Sequence, residues 1–295
     1  FLDYSYNFAV RNFRHGSFGN VTKIDNTRQV KNSESFFSVA AGMPLAHRGV
    51  FLIRANGGHV NYRYDSDELF ADDTDHSRYS FFGIKAELAR NTLDKFLYPR
   101  RGSDLKLSGI FVTGRDKYEP FDAKKFLSRT PRQWFGARFT WDKYFDMPGC
   151  SWLSLGLNVD GVITNHPEFT TEGATVMSMP AYEPVPHAQM IYMPDFRGRR
   201  FAAGGIMPTF DLMHNFFLRT GFYAMFREKR SFVPGVSGPV EDKRWHYIAE
   251  ASLVYHTPIG PVSLALTKYD LRNWKNMYLT FNFGYAIFAP KGTFY

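Results

Sequence analysis

Large apolar side chains alternate with small or polar ones along almost the whole chain, and this two-residue period restricts it to β-structure with two chemically different faces. In "MYLTFNFGYAIF" (277–288), Leu279, Phe281, Phe283, Tyr285 and Ile287 fall on one side, and Thr280, Asn282, Gly284 and Ala286 on the other. The pattern recurs in Leu2, Tyr4, Tyr6, Phe8 and Val10, in Phe37, Val39, Ala41 and Met43, and in Phe82, Ile84, Ala86 and Leu88. It returns in Leu105 and Leu107, in Phe135, Ala137, Phe139 and Trp141, and in Leu153, Leu155, Leu157 and Val159. At Gly57-Gly58 the phase shifts, which predicts a β-bulge.

Alternation alone fits either a soluble sandwich or a barrel that crosses a bilayer. No uninterrupted apolar run approaches the roughly 18 residues of a spanning helix, so a closed barrel is the remaining way to cross. Aromatic residues make up 18% of the chain while mean hydropathy is −0.33, as a polar lumen and aromatic interfaces would give. Charges on the non-apolar faces, among them Lys85, Glu87, Lys106, Arg138 and Asp160, also weigh toward the barrel. Short connections at "DMPG" (146–149), "FDLMHN" (210–215) and "HTPIGP" (256–261) alternate with long polar ones at 65–78, 114–132 and 227–244. With strands of about ten residues, this spacing predicts about fifteen strands, and because such barrels usually have an even number, at least one more before Phe1.

The net charge of +8 comes from Lys and Arg scattered singly, so lipid phosphates or a solvated surface explain it better than nucleic acid. The single cysteine, Cys150, allows no intramolecular disulfide or thiolate cluster and reads as a small residue near a turn. No cofactor or metal site is expected: the densest acidic group (Asp65, Asp67, Glu68, Asp72, Asp73, Asp75 with His76) falls in a long loop and lacks the glycine-centred spacing of a calcium loop. His187 reads as part of a structured turn. A Gly-x-Ser-x-Gly nucleophile elbow is also missing; "HGSFG" (15–19) departs from it by one position, so catalytic residues are not expected in this chain.

Three ordered motifs carry a family resemblance. "NTLDKFLYPRRGSDLKLSG" (91–109), with Asp94, Tyr98, Pro99, Arg101 and Gly102, resembles a strand-turn-strand of the Omp85 superfamily. "PDFRGRRF" (194–201), with Phe196, Arg197 and Gly198, resembles its Arg-Gly loop, and "YHTPIGPVSLAL" (255–266) its penultimate hairpin. More narrowly, "MSMPAYEPVPHAQMIYMPDFRG" (177–198) and "FNFGYAIF", ending at Phe288, are similar to the barrel that follows a patatin-like phospholipase domain. The resemblance covers most of 36–288 and implies a single transmembrane domain over 1–295, N-terminally incomplete, belonging to a 16-stranded outer-membrane barrel of a Gram-negative bacterium. The catalytic and POTRA-like parts of the parent would lie outside it. Implied partners are outer-membrane lipids and, during insertion, the barrel assembly machinery; a homodimer is admitted and nucleic acid is not.

What the resemblance implies for function is an anchor for a patatin-like phospholipase, with an assembly or translocation pore of the same superfamily as the alternative and a simple porin or adhesin as a third reading. It also implies that the loop tip folds into the lumen, where Arg197 meets an inner-wall carboxylate. Glu250 is the first candidate for that partner, followed by Asp160 and Glu87.

Overall fold

The computed structural model describes residues 1–14, 29–65, 74–119, 128–170, 172–185, 188, 193–232, 239–269, 277–284, 291 and 293. Its strands are β1 (Leu2–Arg14), β2 (Gln29–Leu45), β3 (Gly49–Asp65), β4 (Thr74–Asn91), β5 (Gly102–Glu119) and β6 (Ser128–Asp146). They continue as β7 (Leu153–Thr164), β8 (Arg200–Met213), β9 (Phe216–Phe232), β10 (Pro239–Thr257), β11 (Gly260–Tyr269) and β12 (Met277–Phe283). All twelve form one sheet in sequence order, each antiparallel to the next. No ladder between β12 and β1 lies among the described residues. Between β7 and β8 the described residues of 165–199 include one α-helix, α1 (Glu172–Ser178), and a 3-10 turn at Pro194–Phe196. No described helix is long and apolar enough to cross a membrane.

The sheet curls so that its inner face closes around that segment. The Tyr98 hydroxyl, from the β4–β5 connection, donates to Ser263 Oγ on β11 at 2.8 Å, and α1 packs toward β3. Inward positions are buried and mixed in chemistry, from Tyr79, Val112 and Met225 to Asp116, Asp160, Arg219 and Glu250. Outward positions are apolar and exposed: Phe37, Val39, Phe82, Ile84, Leu107, Phe139, Phe222, Leu253, Leu264 and Phe281 form a continuous band. An exposed apolar outer band around a lining that carries buried charges is the reverse of a soluble protein and the signature of a barrel in lipid. Aromatic pairs lie on this outer face as well, with Trp245 stacked on Tyr247 and Trp152 on Phe210.

Two expectations are corrected. The described residues hold twelve strands instead of about fifteen, because most are far longer than the ten residues assumed: β6 and β10 have 19 each. They run through segments expected to be loops, with β5 reaching Glu119, β6 starting at Ser128, β9 reaching Phe232 and β10 starting at Pro239. Beyond the hydrocarbon a strand has no reason to be apolar outside, and Arg78 and Arg115 face outward there. The bulge at Gly57-Gly58 is also absent, since β3 keeps continuous register with β2 and β4 through both glycines. Gly58 instead allows close strand approach: a Cβ there would lie 2.2 Å from the Ser35 carbonyl oxygen. The irregular step lies in the β8–β9 ladder at Asp211/Met213.

Candidate functional site

The lumen is the candidate site, and the segment filling it starts where β7 ends. His166 packs its ring 4.6 Å from Trp134, and Phe169 sits 5.1 Å from Tyr79. Burial holds the His166 imidazole neutral, pushed down to about 3. Asp116 on β5 fixes the next turn, accepting from the Thr170 amide (2.8 Å), the Thr170 hydroxyl (2.9 Å) and the Ser77 hydroxyl (3.0 Å). The chain then forms α1, whose Ala174, Val176 and Met177 are buried against an all-around protein environment. Tyr182 donates to Asn158 Oδ1 at 2.7 Å, and its amide donates to the Phe196 carbonyl at 2.9 Å. Phe196 ends the segment between His246 and Tyr269, and Arg227 reaches Asp195 at 3.1 Å.

Arg197 is buried, only 6% exposed. Its Nη1 donates to the carbonyls of Met177 (2.9 Å) and Met179 (3.2 Å), while Nη2 stands 4.0 Å from Glu183 Oε1. Lys291, beyond β12, donates to both Glu183 oxygens at 3.1 and 3.3 Å. Burial alone would raise the Glu183 carboxyl, but Lys291 and Arg197 beside it bring it below its ordinary value. None of the three expected carboxylates holds Arg197. Glu250 points inward but accepts from Ser252 Oγ. Asp160 takes Arg138 through two bonds of 3.1 and 2.6 Å, and Glu87 pairs with Lys85. The physical reason is local: the segment reverses on itself, so its own carbonyls and Glu183 meet the guanidinium before the wall does. Gly198 then passes close to β9, where a Cβ would lie 3.1 Å from the Glu228 carbonyl oxygen.

The opposite mouth is spanned by the 92–101 connection. Asp94 Oδ1 accepts from the amides of Arg100 (3.0 Å) and Arg101 (3.2 Å), shaping the turn as aspartate does. Tyr98 takes a left-handed φ of 53° that aims its ring inward, and Pro99 beside it is buried. That ring lies 6.4 Å from Phe217 and 5.6 Å beneath the Arg219 guanidinium, which also stacks on Tyr144 at 5.8 Å. Arg100 pairs with Asp211 on β8 at 2.7 Å, and Arg101 Nε donates to Asp146 on β6 at 2.6 Å. Gly102 closes the connection at φ 102°, where a Cβ would sit 2.2 Å from the Thr92 carbonyl oxygen. Gly102→Ala is therefore expected to cost about 1–3 kcal/mol, read as a lower urea midpoint of the folded barrel; an unchanged midpoint would refute the strained turn.

The structure thus brings Asp94, Tyr98, Pro99, Arg101 and Gly102 together at one mouth, and Phe196, Arg197 and Gly198 inside the lumen. Phe288, His187, the "HGSFG" stretch and most of the acidic 65–76 group lie outside the described residues. Among the described residues no group of His, Cys, Asp or Glu could hold a metal ion. Sequence reasoning missed Arg138–Asp160, Glu183–Lys291 and Arg219. The first was findable: Thr140 opposes Asp160, so Arg138 is its diagonal neighbour on the same inward face.

No protein-family model matches the chain, and no curated protein matches it in sequence. Among solved structures it is similar to BamA from Haemophilus ducreyi lacking POTRA domains 1–3, with TM-score 0.56 and 11% identity over 95% of this chain and 57% of that one. The chain therefore spans little more than half the length of that structure. The β domain of the Bordetella autotransporter Brka aligns with TM-score 0.38 and 8% identity over 92% of this chain and 93% of that one. The BamA likeness concerns the fold, and it agrees with the apolar outer band in identifying an outer-membrane type of β-barrel.

Proposed function

We propose that this chain is an outer-membrane β-barrel domain of Omp85 type that anchors its parent and does not conduct, its lumen being filled by its own polypeptide. The occupied lumen is the observation that carries this reading: the described residues of 165–199 enter from one end, and Tyr98, Arg100 and Arg101 span the other. A diffusion pore needs a continuous water path, which a buried Arg197 bonded to two carbonyls does not leave in its part of the lumen. In the parent, the anchored unit would be a patatin-like phospholipase, a reading that rests on the resemblance of 177–198 and "FNFGYAIF". The likeness to a BamA barrel supports the second reading, an assembly or translocation pore. Such an activity would require the in-folded segment to leave the lumen. Lipid contact follows from the outer band; insertion by the barrel assembly machinery and pairing as a homodimer rest on the resemblance alone.

Conductance across a planar bilayer separates these readings. The unaltered chain is expected to stay closed, while Arg197→Ala, which strips the charged donors from the Met177 and Met179 carbonyls, is expected to produce open events and faster protease cleavage within 165–199. Steady, wide conductance from the unaltered chain would overturn the anchor reading. Fatty-acid release from phospholipid by the full-length parent, but not by residues 1–295, tests the tethered hydrolase.

A further inference from the structure

At the mouth spanned by 92–101, a cleft of about 480 Å³ opens between that connection, the β8–β9 turn and the end of β10. We infer that this cleft binds a phosphate-bearing anion. Lys95, Arg100, His214 and His256 line it, against a single carboxylate, Asp211. Asp211 is already engaged by Arg100 at 2.7 Å, and nearby Asp94 is turned toward the amides of Arg100 and Arg101. Lys95 has no charge partner among the described residues. Arg100 Nε and His256 Nε2 are both withheld from water and lack a hydrogen-bond partner, and both residues line the cleft.

Buried polar atoms are ordinarily satisfied, so two residues with unmet nitrogens beside an exposed, unpaired ammonium leave bonding capacity that a ligand can take up once their side chains adjust toward the cleft. The donors outnumber the acceptors, which selects an anion. A guanidinium edge with an ammonium suits the several oxygens of a phosphate group. The volume lies within the range of about 300–1,000 Å³ usual for small-molecule sites. Met213, 75% exposed, also lines the cleft, and Leu212 beside it faces outward, so both a lipid headgroup at the membrane boundary and a free phosphate compound can reach the cationic wall. This assignment does not depend on what the barrel anchors.

The test uses the full chain folded in zwitterionic detergent, titrated with pyrophosphate, and the same chain in phosphatidylcholine nanodiscs with and without phosphatidylglycerol, assayed for retained anionic lipid. Lys95→Gln/His256→Gln is expected to weaken pyrophosphate binding about tenfold or more, or to abolish selective retention of phosphatidylglycerol, while Arg115→Gln, far from the cleft, changes neither. Loss in the pyrophosphate arm alone identifies a soluble phosphate ligand, and loss in the lipid arm identifies a headgroup. Should the double variant fail to give a heat-modifiable barrel, Lys95→Gln alone, an exposed position, is expected to shift the same readout in the same direction. No binding in either arm, or binding insensitive to these substitutions, overturns the inference.

Discussion

Arg138→Met is expected to destabilise the folded barrel by about 3–5 kcal/mol, because it leaves the Asp160 carboxylate buried without its partner. Asp160 is 5% exposed, and Arg138 holds it through Nε at 3.1 Å and Nη2 at 2.6 Å. The same guanidinium donates to the Ala181 carbonyl at 3.2 Å, so its loss also loosens the in-folded segment from the β6 wall. Arg138→Lys keeps the charge but cannot make the two-point contact, and is expected to recover only part of the loss. Arg138→Met/Asp160→Leu removes both charges and is expected to lie nearer the parent chain than Arg138→Met does. Urea titration of the refolded barrel, followed by heat-modifiable migration, measures all three. Equal midpoints for Arg138→Met and the parent chain would show that water, not protein, solvates Asp160.

The wall of the lumen was legible in the sequence and its contents were not, for physical reasons that individual residues make plain. Two-residue periodicity is local, so the outward placement of Ile84 and Leu88 and the inward placement of Asp160 and Glu250 follow from neighbours alone. The 92–101 connection was legible through its family resemblance at Asp94, Tyr98 and Gly102, and the structure gives the physical reason for those residues: Asp94 accepts from two backbone amides, and Tyr98 and Gly102 take left-handed backbone. Strand ends were misplaced because the outward alternation stops where lipid stops, at residues such as Arg78 and Arg115. The partner of Arg197 was misassigned because the 165–199 segment carries no period. Lys291 and Glu183 meet across a separation of 108 residues, a contact that no local pattern announces.

Ile84→Arg should bring the outer face to a direct test. Ile84 lies on β4 within the outward row Phe82, Ile84, Ala86 and Leu88, is 41% exposed, and faces Phe111 and Ala55 on the flanking strands. An arginine on the lipid face of such a barrel costs about 2–4 kcal/mol near the midplane and about 0–1 near the interfaces. One residue along, Lys85 already carries a charge, but it points inward and pairs with Glu87. Lys85→Gln, at a pair whose side chains are 21% and 17% exposed, is therefore expected to cost less than Ile84→Arg. The contrast isolates orientation from charge, since the two positions are adjacent and share a depth in the membrane. Folding yield into phosphatidylcholine vesicles, read by heat-modifiable migration, should fall sharply for Ile84→Arg and stay near the parent value for Lys85→Gln. A further arginine series along β4, at Phe82, Ala86 and Leu88, should trace a cost that peaks mid-row and declines toward both ends. A flat profile, or equal losses at 84 and 85, would mean that the outward row does not meet hydrocarbon, and the barrel would then have to be read as a soluble one.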